Sequence, residues 1–351
     1  MTPEEIKKRM NDAVAEALKN YSPPKPASKP VKQIITSQQS ERLNHRLETL
    51  LPQFKKAIGA REFDKAKVVI ADLQDVLRGL NKTAKLVEVK NQFFELALDQ
   101  HQYDFAIEGF LSNRSLVTSK TRLHLEATAL LAIAYLRKQD IERAKPFIKD
   151  VLQNRNIIKS AATRAKFNKE IIARFDEEIA LFSLKTDCKF DIDENELHNL
   201  SIAVQDLSED QLYEEIGKSL PRSTKELMYE VDKFAKNQLT YTELKALPSS
   251  EELVKNDLAG KTVFSAIKLV IYKSLCDPNS EVYKIWYTNT VGVIIDKKFI
   301  TSAVIFALTG FGIGAKALLI PAAALVIRFG LDVYCEKYKP AGITEFRRKS
   351  D

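Results

Sequence analysis

Residues 299–335 read FITSAVIFALTGFGIGAKALLIPAAALVIRFGLDVYC, and the rest of the chain has to accommodate them. Between Ile300 and Ile327 the only charged side chain is Lys316, in a chain that is otherwise 29% Asp, Glu, Lys and Arg. Gly310, Gly312 and Gly314 stand in the middle and divide the stretch into two apolar limbs. One continuous helix would be longer than a bilayer needs, and glycines at every second position weaken it. The stretch therefore reads as a hairpin of two apolar helices joined by a Gly-rich turn.

Two readings of the hairpin stand side by side. Lys297 and Lys298 precede it, and Lys337, Lys339, Arg347, Arg348 and Lys349 follow. Tyr283, Trp286, Tyr287, Tyr334 and Tyr338 flank its ends. Aromatics and cations at both open ends suit a membrane interface, with Ile320, Ala324, Leu325 and Val326 facing lipid. Against this, the clean limbs, 300–308 and 317–327, have the length of buried core helices. Arg328 and Asp332 interrupt the second limb, and Pro321 is expected to kink it.

The 351 residues suffice for two modest domains, and 45% hydrophobic residues exclude global disorder. Only 11 Gly and 12 Pro argue for a mainly helical chain with short turns. The first twenty residues hold no apolar run, so no signal peptide is expected. Cys188, Cys276 and Cys335 are too few and too far apart along the chain for a disulfide framework or a metal knuckle, and a cytoplasmic, reducing location is expected, at the inner face of the membrane if the hairpin touches lipid. The net charge of +7 is spread over helices where acids interleave with bases, so nucleic acid is disfavoured as a partner.

Thr2, Pro3 and Glu5 open a helix as cap, first helical residue and capping-box partner. Ile6, Met10, Val14, Ala17 and Leu18 give it a narrow apolar stripe, and 21–32, YSPPKPASKPVK, is a stiff tether. Such a stripe docks on a partner, on a second copy of the chain, or back on the body.

From 40 to 184 the pattern repeats. Phe63-Asp-Lys-Ala66, Tyr103-Asp-Phe-Ala106 and Ile141-Glu-Arg-Ala144 each open a helix, and their alanines are 106 − 66 = 40 and 144 − 106 = 38 residues apart. Small residues at Ala132, Ala134 and Ala144 let two helices approach, with Tyr135 and Phe147 filling the space beside them. These paired helices, small crossings and terminal aromatics resemble the tetratricopeptide repeat, although the spacing exceeds that family's usual ~34 residues. The resemblance implies a helical-hairpin solenoid with a face for a protein or peptide partner. Phe63, Ala66, Tyr103, Ala106, Ala134, Tyr135, Ala144 and Phe147 are then packing positions.

Beyond 184 the reading is coarser. The acids Asp191, Asp193 and Glu196 lack the glycine and closing glutamate of a calcium loop, and suit the start of a helix instead. Ser208 and Gln211 form a second capping signal. Amphipathic helices within 253–277 and 282–295 would shield a buried hairpin. Such a package resembles, in organisation, the pore-forming domains of colicins.

No catalytic pattern emerges. His45, His101, His124 and His198 lack ligand spacing, and Gly310 to Lys316 lacks the phosphate-loop spacing, with Ala317 where Ser or Thr is needed. The expected protein is all-α and non-enzymatic, with no metal and no cofactor. Its expected segments are an N-terminal helix (1–20), a linker (21–39), a repeat domain (40–184), a helical connector (185–252) and a hydrophobic helical domain (253–351). Its expected role is a sensor or adaptor with a membrane-associating hairpin, of the kind a bacterial anti-phage or stress effector uses, or a soluble scaffold with that hairpin as domain core.

Overall fold

The computed structural model describes residues 36–186, 190–278, 280–288, 296–338 and 343. The N-terminal helix and tether, Cys188 and the basic cluster Arg347, Arg348 and Lys349 lie outside the described residues, as do the side chains of Trp286 and Tyr287. Among the described residues there are seventeen α-helices and no strand, as expected of an all-α chain.

Seven helices form the first layer: α1 (Ser37–Gly59), α2 (Phe63–Gly79), α3 (Thr83–Asp99), α4 (Tyr103–Leu116), α5 (Arg122–Arg137), α6 (Ile141–Gln153) and α7 (Ala161–Ser183). Four of their connections use one turn. Arg61, Asn81, His101 and Gln139 adopt left-handed φ values of 56°, 53°, 59° and 57°. In each case the next N–H donates back five residues, as from Lys82 to the Leu77 carbonyl and from Gln102 to the Ala97 carbonyl, both at 2.9 Å. That bond occupies a carbonyl the ending helix leaves free, and it reverses the chain within three residues. Arg61, His101 and Gln139 are 40 and 38 residues apart (101 − 61 and 139 − 101), the spacing of the alanines.

Packing follows the small residues. Ala66, Ala106, Ala134 and Ala144 are fully buried, and Tyr135 stacks on Phe147 with ring centroids 5.6 Å apart. Phe63 stacks on Phe93 at 5.4 Å. Consecutive helices from α1 to α6 pack on one another, α3 also touches both α1 and α5, and α7 packs on α5.

The second body holds α8 (Glu194–Ala203), α9 (Glu209–Lys218), α10 (Arg222–Lys236), two single-turn helices α11 (Tyr241–Leu244) and α12 (Ser250–Leu253), α13 (Asn256–Leu275), α14 (Glu281–Thr288), α15 (Lys297–Phe311), α16 (Lys316–Phe329) and α17 (Leu331–Lys337). Asp193 caps α8, and Ser208 with Gln211 closes a capping box on α9. The apolar stretch is a hairpin, α15–α16, but its turn is shorter than the three glycines suggest. Helix α15 runs through Gly310, and Gly312 makes the reversal at φ 101°. Gly314 is needed for a different reason: a Cβ there would lie 1.9 Å from the Phe190 ring.

Three expectations change. Helix α16 continues through Pro321 to Phe329, and the chain turns sharply only after Gly330, where α17 departs at 92°. Arg328 does not interrupt the limb but donates to the carbonyls of Gln205 and Leu207. The cysteines are not too far apart. Cys276, at the end of α13, and Cys335, on α17, are disulfide-bonded with Cα atoms 5.4 Å apart, because the hairpin returns the chain to where it left. Separation along the chain, 59 residues here, says nothing about separation in space, so the cysteines give no argument for a reducing location.

A candidate ligand cleft between the two bodies

The turns at Arg61, His101 and Gln139 lie along one edge, and that edge meets the hairpin. Thr186 donates its N–H to the Gly312 carbonyl at 2.9 Å, and Phe311 packs edge-on against Phe182 at 5.4 Å. Between them lies a cleft of about 440 Å³. Its walls are apolar: Leu181 and Phe182 of α7, Leu269 and Val270 of α13, and Phe306, Ala307 and Phe311 of α15. Asp99, His101, Arg137, Lys273 and Glu281 supply its titratable side chains.

Helix ends explain that charge. Asp99 and Arg137 each stand two residues before a left-handed turn residue, His101 and Gln139, so stacking brings their side chains together. Arg137, with 6% of its side chain exposed, grips Glu178 through Nε and Nη2, both at 2.9 Å, and reaches Asp99 through Nη1 at 3.2 Å. Arg174 adds a second contact to Glu178 at 2.6 Å. Arg61 also binds Asp99, and Lys273 arrives from α13 at 3.4 Å. The network thus bolts α13 of the second body to the turn edge of the first.

Each member answers to the others. Burial alone would push Asp99 up, but Lys273, Arg61, Arg137 and Arg174 outweigh it and hold the carboxyl below the usual range. Glu178 behaves alike, with burial opposed by Arg137 and Arg174. Burial, helped by Arg61 and Arg137, lowers Lys273 to about 8 against the pull of Asp99. Burial, with Lys185, Lys273 and Arg137, lowers His101. Lys185, Lys273 and Arg137 outweigh Asp99 at that imidazole, so the local potential there is positive. What such a site does chemically is attract and orient an anionic group.

The residues singled out from sequence fall elsewhere. Phe63, Tyr135 and Phe147 are partly buried packing residues, and only Tyr103 approaches the cleft, through Phe182 at 6.1 Å. Ala324, Leu325 and Val326 are fully buried, and Ile320 is half-buried. In this arrangement they face protein. Tyr334 is buried too, donating to the Lys268 carbonyl at 3.2 Å. Among the described residues no group of three or more His, Cys, Asp and Glu could hold a metal ion. The cleft itself was missed. Its available signal was an acid and a base at matching positions before successive turns.

Comparison with protein-family models, curated proteins and solved structures finds no match to this chain.

Proposed function

We propose that this protein is a non-enzymatic helical adaptor. In this reading a tetratricopeptide-like stack over 40–184 receives a protein or peptide partner, and the hairpin is the core of the body that carries the stack. The observation behind it is that several polar groups of the hairpin have partners on α8 and the residues just after it. Lys316 pairs with Glu196 at 2.5 Å, Ser302 donates to Glu194 at 2.6 Å, and His198 meets Thr301 at 3.1 Å. Gln205 donates to the Ala324 carbonyl at 3.0 Å. A hairpin awaiting lipid needs none of these. On the stack, Val68 and Leu111 are large apolar side chains 69% and 43% exposed, which a partner would cover.

A second reading, a sensor whose hairpin enters the membrane, is favoured by one observation. No single helix among the described residues is long and apolar enough to cross a bilayer, yet α16 and α17 together pass on length and composition as a bent pair. Vesicle flotation and limited proteolysis of wild type and Ala324→Asp separate the two. In the adaptor reading wild type stays off anionic vesicles, and the variant, with an unpaired carboxylate in the core, becomes protease-sensitive beyond Leu253 in lipid-free buffer. Wild type that floats, with a variant intact in buffer that does not, replaces the adaptor by the membrane sensor.

A further inference from the structure

We infer that the junction cleft binds a single-chain amphiphile with a monoanionic head, of the fatty-carboxylate class. Volume sets the size of the occupant. At roughly 30 Å³ for each water-sized group, 440 Å³ holds on the order of fifteen non-hydrogen atoms. A twelve- to fourteen-carbon carboxylate has that bulk.

The lining sets its chemistry. The walls from α7, α13 and α15 offer aliphatic and phenyl surface, which suits an alkyl chain and gives a nucleobase little to hydrogen-bond. Phe306, on that wall, is 65% exposed, a large apolar side chain that an alkyl chain in the cleft would cover.

Charge sets the head. Arg61, Arg137, Arg174, Lys185 and Lys273 make five cations in the network and beside the lining, against four carboxylates, Asp99, Glu177, Glu178 and Glu281. The cations outnumber the carboxylates, which favours an anionic head. Lys273 is the cation best able to turn to it. It sits at 3.4 Å from an Asp99 that Arg61 and Arg137 already serve, and 30% of its side chain remains exposed.

The site also offers a clean way to be blocked. Gly310 lines the cleft from the last turn of α15, and a Cβ built there meets nothing within 4 Å. A larger side chain at this position starts from a Cβ with open space around it at the cleft lining, on a helix that any residue other than glycine or proline favours.

The inference goes beyond the adaptor reading and needs neither a partner nor a vesicle, so either can fail without the other. It is tested by isothermal titration of the full chain with sodium dodecanoate below its micelle concentration, with dodecyl maltoside and adenosine monophosphate as controls. The expected result is one dodecanoate per chain, with the uncharged dodecyl maltoside at least tenfold weaker and the nucleotide silent. Lys273→Met, which leaves Asp99 paired to two arginines, should weaken dodecanoate at least tenfold. Gly310→Phe should do the same with helix content unchanged. Absence of a saturable site, equal binding by wild type and both variants, or a nucleotide that outcompetes dodecanoate would overturn it.

Discussion

Asp176 on α7 and Asp232 on α10 lie side by side at a cavity of about 210 Å³ that α13 closes. They are 3% and 0% exposed, and the Oδ1 atom of each accepts no hydrogen bond from a surrounding N–H or hydroxyl. Lys236 pairs with Asp232 at 2.7 Å, so the pair has one cation for two carboxyls. Burial first, and the Asp232 charge second, push Asp176 well above the usual carboxylate range, so the folded state holds this proton to higher pH than the unfolded chain does. The unfolded chain releases that proton near the ordinary value of ~3.9. Stability from Asp176 is therefore full below that value and lost as pH rises through the raised folded one. Asp176→Asn removes the titration while keeping the shape. Its melting temperature should exceed that of wild type at pH 8 by the equivalent of about 1–2 kcal/mol, with the gap closing as the pH falls to about 4 and below. Parallel pH profiles for the two proteins would show that Asp176 ionises freely.

At the scale of elements, two helix crossings depend on small residues, and only one was legible. Ala134, on α5, is fully buried in the α5–α6 pair beside the Tyr135–Phe147 stack. Ala134→Leu should overpack this crossing and cost about 1–3 kcal/mol. Thermal denaturation would detect it, and an unchanged melting temperature would remove the close crossing. This pair showed in the sequence because its small and aromatic residues recur within one local unit. The crossing of α9 and α13 did not show. A Cβ on Gly217 would lie 1.8 Å from the Asn256 carbonyl oxygen, and one on Gly260 would lie 1.8 Å from that of Tyr213. Backbone has to move for either, so Gly260→Ala should destabilise by at least about 1–3 kcal/mol even though alanine is the better helix former. A variant as stable as wild type in urea would count against so close an approach. In one sequence a helical glycine looks only like a weak point; its partner, 43 residues away (260 − 217), gives it meaning.

For the whole molecule, the hairpin was legible as a hairpin, but lipid and protein interior select the same apolar residues, so the membrane and core readings stood side by side. The groups that favour the core reading are polar ones on α8 and beyond it, Glu194, Glu196 and Gln205, which carry no apolar signal at all. The cleft was hidden for a related reason. Asp99, Arg137 and Lys273 are ordinary surface residues in sequence, and only stacking plus the return of α13 brings them together. The disulfide closes the same long excursion. In the chain-entropy account, a loop of this length constrains the unfolded chain by about 4 kcal/mol. Cys276→Ala with Cys335→Ala should therefore melt well below the oxidised wild type and match the wild type in reductant. A double variant as stable as the oxidised protein would show that the bond contributes nothing.

The Cys276–Cys335 bond also has a topological consequence. It makes a covalent ring whose circumference contains the whole α15–α16 hairpin. The closed ring holds both ends of the hairpin against one point of its own chain and so shortens how far the hairpin can reach into a neighbouring molecule, the exchange that forms swapped dimers. Cutting the bond releases that tether.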